Sequence, residues 1–383
     1  MAHIAIVGAG FSGAVLAQEL GQAGHQIDVF DTRAHVAGNC HTERDADSGV
    51  MLHAYGPHIF HTSNQRVWDY IRRFGEFMPF VNRVKAITGG RVYSLPLNLL
   101  TINQFVGATF SPAQAEAYFA QVGERGSGEP ANFEEQALHL MGRDLYAAFF
   151  EGYTAKQWGM PAAALPASIL KRLPVRFNYD DNYYASQYQG IPREGYTAIV
   201  TRLLDLPSVT VHLGTRFTRA LAAGYDHVFC SGPIDAWFGC DEGRLGYRTL
   251  DFVREDHVGD HQGNAVINYC DLSVPWTRIS EHKHFAPWEQ HAGTVVFKEY
   301  SRLCEEVDIP YYPIRLVAEK ALLAHYVSRA RLEPNVTFLG RLGTYRYIDM
   351  HVTIAEALEV AQRYGDTQAA RKPMPSFVVD PLG

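Results

Sequence analysis

Apolar and polar positions follow two rhythms along this chain, and the rhythm changes where the elements change. The β-branched run His3-Ile4-Ala5-Ile6-Val7 predicts a buried strand. From Ala14 onward, Val15, Leu16 and Leu20 recur at helical spacing, and Gly24 closes the pattern. Ile27-Asp28-Val29-Phe30 predicts a second strand, and Tyr55–His61 reads as a turn into a short one. Ser111-Pro112-Ala113-Gln114 predicts a capping box with proline at the first helical position. Asn132, with Glu135 three residues on, predicts another helix start. Leu145, Phe149 and Tyr153 fall at i, i+4 and i+8, one face of a continuous helix.

Residues 175–310 shift to short aromatic and β-branched runs such as Ala265–Tyr269 and Gly293–Phe297, which predict a largely antiparallel sheet. Thr197–Leu204, Val209–His212 and His227–Phe229 read instead as α/β material returning to the first lobe. The last hundred residues resume α/β grammar. Glu319–Arg331 predicts a helix, Val336–Leu339 a strand and Asp349–Tyr364 a helix, with a frayed tail over Arg371–Pro375. The alanine-rich, proline-bounded stretch Pro161–Pro174 predicts a mobile connection.

With 383 residues, 47% hydrophobic and 20% charged, the chain can bury a sizeable core in two or three domains or one large discontinuous one. A net charge of −7 argues against nucleic acid or an anionic membrane as partner, so an anionic substrate needs a local group of arginines. No basic and apolar leader and no long apolar run are visible, which predicts a cytoplasmic protein without a membrane span. Cys40, Cys230, Cys240, Cys270 and Cys304 are odd in number and scattered, as reduced thiols are.

The junction of the first strand and helix carries the chemistry. Gly8-Ala9-Gly10-Phe11-Ser12-Gly13 is a G-x-G-x-x-G turn, and the second strand ends in Asp31. Gly8 permits the tight turn, Gly10 lets a pyrophosphate reach the backbone, and Gly13 lets helix and strand pack closely. The helix N-terminus offers free N–H groups to phosphates, and Asp31 is placed for ribose hydroxyls. Late in the chain, Val336–Leu339 runs into Gly340-Arg341-Leu342-Gly343, and Asp349 precedes a helix. In flavoproteins of the glutathione-reductase-like class a late segment returns its helix N-terminus to the flavin, where the dipole favours the reduced anion. This return favours FAD over NAD.

Further strings are distinctive: Glu151-Gly152-Tyr153-Thr154-Ala155-Lys156-Gln157-Trp158-Gly159, Leu170–Phe177, Tyr183-Tyr184, Tyr188–Pro192, Gly246–Leu250, Thr277–Lys283, Pro310–Pro313 and Gly340–Met350. With them the chain resembles the bacterial-type UDP-galactopyranose mutases over nearly its whole length. Ala37, before Gly38-Asn39, departs from the glycine common there in that family.

The resemblance implies an isomerase that interconverts UDP-galactopyranose and UDP-galactofuranose for cell-surface glycans. Reduced FAD attacks the anomeric carbon through N5, UDP leaves, and the sugar recloses from a flavin adduct without net redox change. The implied fold class is α/β. A discontinuous Rossmann-like FAD-binding lobe (1–78, 193–240 and 314–383) carries a mainly helical insertion (79–172) with a substrate lid near 161–178. An antiparallel sheet domain (173–192 and 241–313) completes it. A homodimer and an external flavin reductant are implied as partners.

The implied residue roles follow. Arg172 and Arg278 match the diphosphate-binding arginines, and His61 lies close to the isoalloxazine. Asn82, Phe149, Tyr153, Thr154, Trp158, Tyr183, Asn268, Tyr312 and Tyr347 match the sugar-nucleotide pocket. Gly8, Gly10, Phe11, Ser12, Gly13, Asp31, Thr32, Gly38, Asn39, His58, Ile59, Arg341, Ile348, Asp349 and Met350 match flavin contacts. A flavin oxidoreductase would share the first and last segments but needs no arginines converging on a diphosphate. A nucleotide-sugar sensor would bind UDP without converting anything.

No metal is expected: neither His58 with His61 nor His257 with His261 has a third ligand at suitable spacing. Asp45-Ala46-Asp47 reads as a solvated turn, and Lys156 either adds positive potential near a diphosphate or is an exposed charge.

Overall fold

A computed structural model describes residues 1–124, 126, 128–167 and 175–383, with the backbone alone at 317 and 318. The predicted βαβ start is the centre of a five-stranded parallel sheet. Its order is Val209–His212, Gln26–Phe30, His3–Val7, His227–Cys230 and Val336–Phe338. The period-two pattern decides which helices cover which face. Ile4, Ile6, Val29 and Phe229 pack with residues of helices Phe11–Gln22, Gly195–Leu204 and Met350–Ala370. Ala5, Phe30, Val228 and Cys230 pack with Leu323, Tyr326 and Val327 of helix Val317–Ala330 on the opposite face. Both faces are buried, as a parallel sheet requires.

The second sheet has seven strands. Its order is Tyr312–Pro313, Tyr247–Val258, Gly293–Leu303, Arg278–Glu281, Val266–Tyr269, Val84–Thr88 and Arg91–Leu95. Neighbours run antiparallel except Val266–Tyr269 against Val84–Thr88, which are parallel. A hairpin from the start of the helical segment therefore completes the sheet.

The helical part holds Leu99–Val106, Pro112–Val122, Phe133–Tyr146 and Gly152–Trp158. Ser111 and Gln114 form the reciprocal capping box, and Asn132 caps the next helix through the Glu135 N–H at 2.9 Å. The continuous helical face expected through Leu145, Phe149 and Tyr153 is broken. Gly142 has φ +73°, and Ala147–Glu151 form a π turn. The extra residue in that turn re-aims the helix that follows while Leu145 and Phe149 stay buried.

Two further expectations meet the structure differently. The tail is not frayed: the Phe338 N–H donates to the Ser376 carbonyl at 2.8 Å, the Thr337 hydroxyl to the Pro375 carbonyl at 2.8 Å, and Phe377 stacks on Phe338. Pairing to an otherwise open sheet edge holds it. Of the proline-bounded connection, Arg172 and the rest of 168–174 lie outside the described residues. Both flanks are fastened, by Phe133 N–H to the Leu165 carbonyl and by Arg176 N–H to the Leu97 carbonyl, each 2.8 Å. Among the described residues, no helix is long and apolar enough to cross a membrane.

Candidate active site

The glycine turn lies at the C-terminal ends of the parallel strands, where α/β sheets bind ligands. Gly8 has φ +108°, and an added Cβ at Gly13 would overlap the Gly8 carbonyl oxygen. Gly10 faces Gly38: a Cβ on Gly38 would stand 3.4 Å from the Gly10 Cα. The Asp31 carboxylate accepts the N–H groups of Ala9 and Arg33, each at 2.9 Å, which ties the acid to the turn. Asn39 accepts from Arg33 Nη2 at 2.6 Å, while Arg33 Nη1 is buried without a hydrogen-bond partner among the described residues. Ser12 is buried beneath this end, Thr32 is exposed, and the Phe11 ring turns into the core against Tyr196. Ala37 takes φ +76°, the left-handed region that the common glycine would enter freely.

A second helix N-terminus faces the same region. Met350–Ala370 starts after Asp349, and neither it nor Phe11–Gln22 has a side-chain cap. Each thus leaves its first N–H groups and the positive end of its dipole available. The loop before it is held by Arg341, whose Nη2 donates to the Ile348 carbonyl at 2.6 Å and whose guanidinium lies 4.8 Å from the Tyr347 ring centre. His61 stacks on Tyr184 with ring centres 3.7 Å apart and pairs with the Ser186 hydroxyl at 3.0 Å. Burial pulls the His61 pKa down to about 4, with Asp349 opposing and His351 assisting the fall, so its ring is neutral at pH 7. His58 is likewise held at about 4 by burial. Ile59 is buried beside it, and His58 Nδ1 pairs with the Gly56 carbonyl at 2.8 Å. A small-residue cradle, two uncapped helix ends and an acid at the second strand fit a dinucleotide whose pyrophosphate needs backbone donors.

The aromatic cavity lies at the seven-stranded sheet. Phe149, Tyr153, Thr154, Trp158, Tyr183 and Asn268 all line it, with Leu95, Pro96, Leu97, Phe133 and Phe150. Asn82 is buried nearby, its backbone carbonyl accepting the Tyr183 N–H at 2.9 Å and its side-chain oxygen without a hydrogen-bond partner among the described residues. Tyr312 and Tyr347 sit together with ring centres 5.4 Å apart.

Arg278 joins these groups, since its charge acts on Tyr153, Tyr183, Tyr312 and His58. Among the described residues only Glu299 bonds the guanidinium, through Nε at 2.7 Å. Burial works to lower the Arg278 pKa, but the Glu299 carboxylate outweighs it and the pKa rises well above the ordinary value. The two Nη groups form a fork that is not committed to a carboxylate. Such a fork suits a phosphate better than a point charge does.

Sequence reasoning missed Glu299, although Val295, Phe297 and Glu299 share one parity of a buried strand, and a buried acid there needs a cation. It also missed Tyr184 over His61. Two groups with metal-type side chains were not foreseen: His61, Asp349 and His351, and Asp260, Glu281 and His284, each with ligand atoms within 4.8 Å of one another. In the second, Glu281 already accepts the N–H groups of His261, Gln262 and Gly263 at 2.8–3.0 Å.

The parallel sheet, its glycine turn and the two helix ends facing it define an α/β protein of the dinucleotide-binding class. A family model of NAD(P)-binding Rossmann-like domains matches residues 6–74, and one of UDP-galactopyranose mutases matches residues 148–347. A protein described as a probable UDP-galactopyranose mutase from Klebsiella pneumoniae is 54% identical over 98% of both chains. A dTDP-fucopyranose mutase from Escherichia coli is 49% identical over 95% of this chain and 98% of its own. Among solved structures, a reduced UDP-galactopyranose mutase superposes with a TM-score of 0.73 over 96% of each chain at 15% identity, a likeness of fold. The chain belongs to the UDP-galactopyranose mutase family, and it is an isomerase of that family.

Proposed function

We propose that this enzyme interconverts UDP-galactopyranose and UDP-galactofuranose with FAD in its reduced form, without net redox change. The observation that carries the reading is Arg278: a half-buried guanidinium, held at Nε by Glu299, whose charge reaches Tyr153 and Tyr183 of the aromatic cavity and Tyr312 of the tyrosine pair. When bound, reduced FAD supplies a nucleophilic nitrogen, N5, for the anomeric carbon.

The chain's own residues do the rest. The fork of Arg278 takes the diphosphate and stabilises the charge that gathers there as the glycosidic bond breaks, with Arg172 as the second diphosphate contact. Trp158, Phe149 and Tyr153 give flat surfaces for uracil, and Thr154 and Asn268 polar contacts. Tyr312, Tyr347 and Asn82 orient the sugar. The Gly8–Gly13 turn, Asp31 and Asn39 would hold the adenosine diphosphate half of FAD, and the Met350 helix end would supply its dipole to the flavin ring. Neutral His61, on its Tyr184 support, would lie beside that ring and offer it one ring N–H or lone pair but no positive charge at pH 7.

The E. coli relative supports a second reading of the substrate, dTDP-fucopyranose in place of the UDP-sugar. One experiment tests both. The purified protein is loaded with FAD, reduced with dithionite without oxygen, and given UDP-galactofuranose or dTDP-fucopyranose, with oxidised enzyme as control. Conversion to UDP-galactopyranose only when reduced, with no reductant consumed per turnover, is expected. Conversion of the deoxy sugar nucleotide alone gives the second reading, and substrate-coupled reoxidation of the flavin gives an oxidoreductase. A cytoplasmic homodimer served by an external reductant completes the proposal; sizing chromatography tests the dimer.

A further inference from the structure

Lys156 is not an exposed charge: it is half-buried, and the protein's own backbone takes up its ammonium. Its ammonium donates to four backbone carbonyls, those of Tyr269 at 2.7 Å, Asp271 at 3.0 Å, Val274 at 2.9 Å and Trp276 at 3.0 Å. An ammonium has three N–H groups, so the four oxygens share them much as a ring of carbonyls shares a bound cation. Burial pulls its pKa down, and Cys270 and Asp271 oppose that fall.

The acceptors all belong to one connection, between strands Val266–Tyr269 and Arg278–Glu281. The two residues at its base, Asn268 and Arg278, are register partners across those strands. Lys156 itself is on helix Gly152–Trp158, between Thr154 and Trp158. The connection lies directly on that helix, since an added Cβ at Gly152 would overlap the Cys270 carbonyl oxygen. The connection's far side is tied as well: Asp271 accepts from the Thr88 hydroxyl at 3.0 Å and from the Gly89 N–H. The other side of the helix end is fixed through the Gln157 carbonyl, which accepts from Arg248 Nε at 3.1 Å and the Ser301 hydroxyl at 2.6 Å. A lysine near a helix C-terminus usually serves its own helix's carbonyls; this one serves none of them and grips the neighbouring loop.

We propose that Lys156 is a positioning residue: by caging its ammonium in the 269–276 connection it fixes the spacing between the helix that carries Trp158 and the strand that carries Arg278. The inference rests on the reading of Trp158 and Arg278 as base and diphosphate contacts. Base and diphosphate lie at a fixed distance in one ligand, so a site that recognises both needs its two walls held in register.

The test measures UDP binding to the FAD-loaded enzyme by calorimetry for wild type, Lys156→Met and Lys156→Ala, with flavin content and circular dichroism as checks on folding. Lys156→Met keeps the stem and loses the charge. It is expected to bind FAD normally and UDP more weakly by about ten- to a hundredfold, the scale of a binding group misplaced by roughly 1 Å. In Lys156→Ala the four carbonyls are left for a small cation, so ammonium chloride is expected to restore UDP affinity where tetramethylammonium chloride at equal ionic strength does not. Wild type is expected to respond to neither. UDP affinity in Lys156→Met equal to wild type overturns the inference, and so does a loss in Lys156→Ala that ammonium leaves unchanged. If Lys156→Ala fails to load flavin, Lys156→Met decides alone. A wild-type enzyme that does not bind UDP removes the proposed function itself, an outcome distinct from wild-type binding that Lys156→Met retains.

Discussion

The two ends of the proposed site are built by opposite means. At the glycine turn the main chain does the recognising, and side chains mostly keep out of the way. Gly13 is defined by the atom it lacks, and Asp31 serves the backbone of Ala9 and Arg33. At the seven-stranded sheet the side chains recognise, and each depends on a partner from a distant segment. Arg278 needs Glu299 on the neighbouring strand, and Trp158 is on a helix tied to a loop more than a hundred residues on. The first end tolerates change in composition but not in shape. The second depends on a charge and on the ties that hold its two walls in register.

The largest expected effect breaks the second end. Arg278→Ala should lower kcat/KM by at least about a hundredfold, the scale of losing a preorganised donor to developing charge. The flavin spectrum should persist, because Arg278 is outside the glycine cradle. Arg278→Lys keeps a cation beside Glu299 but not the fork, and should recover stability in urea titrations while turnover stays low. Full turnover in either variant would return Arg278 to a structural role.

Gly13→Ala strikes the first end. Its Cβ has no room beside the Gly8 carbonyl, so helix and strand must separate at a cost of about 1–3 kcal/mol. Flavin content should fall with the melting temperature, and UDP affinity should change little in the molecules that remain folded. Equal loss of UDP binding would mean that the two ends are not separable.

A pH series tests the scaffold of both sheets, because buried imidazoles pack in each. His58 and His227 are held at about 4 and His282 at about 3, each chiefly by burial. The unfolded chain takes up these protons near pH 6.5, so it binds more protons than the folded chain between there and pH 4. Stability should therefore be complete above pH 6.5 and fall as the pH drops toward 4, as read by urea unfolding at each pH. His227→Gln, which keeps a polar atom near the Thr337 hydroxyl, should flatten part of that slope.

The smallest effect concerns Ala37. Replacing it with glycine should remove left-handed strain of about 1–2 kcal/mol, partly offset by the freer unfolded chain, for a net gain of a few tenths to 1 kcal/mol in urea titrations. A loss would show that the Ala37 methyl, buried in the core, matters more than the backbone angle.

The same contrast explains what could be read from the sequence. The cradle was legible because strand, turn, helix and acid are contiguous within Ile4–Asp31, and local rules relate neighbours. The caps at Ser111 and Asn132 were legible for the same reason. The aromatic and arginine end was reached through family-like strings, and its partnerships were not. Nothing near Arg278 in sequence names Glu299, twenty-one positions on, as its counter-ion. Nothing near Lys156 names carbonyls beyond position 268, and carbonyls have no sequence signature at all. Gly142 and the π turn escaped because helical periodicity is blind to one inserted residue. The docked tail escaped because an open sheet edge, not the tail's own composition, decides its fate.

The strand order of the parallel sheet also sets a timetable for the molecule's birth. His3–Val7 pairs with His227–Cys230, which pairs with Val336–Phe338, and the second uncapped helix begins at Met350. The strand at His3 must wait for the strand at Val336, on the order of half a minute at about 5–20 residues per second. The βαβ opening therefore leaves the ribosome as an unfinished sheet with one edge bare. The uncapped helix at Met350 joins last, so a chaperone has a window in which to meet a half-built enzyme.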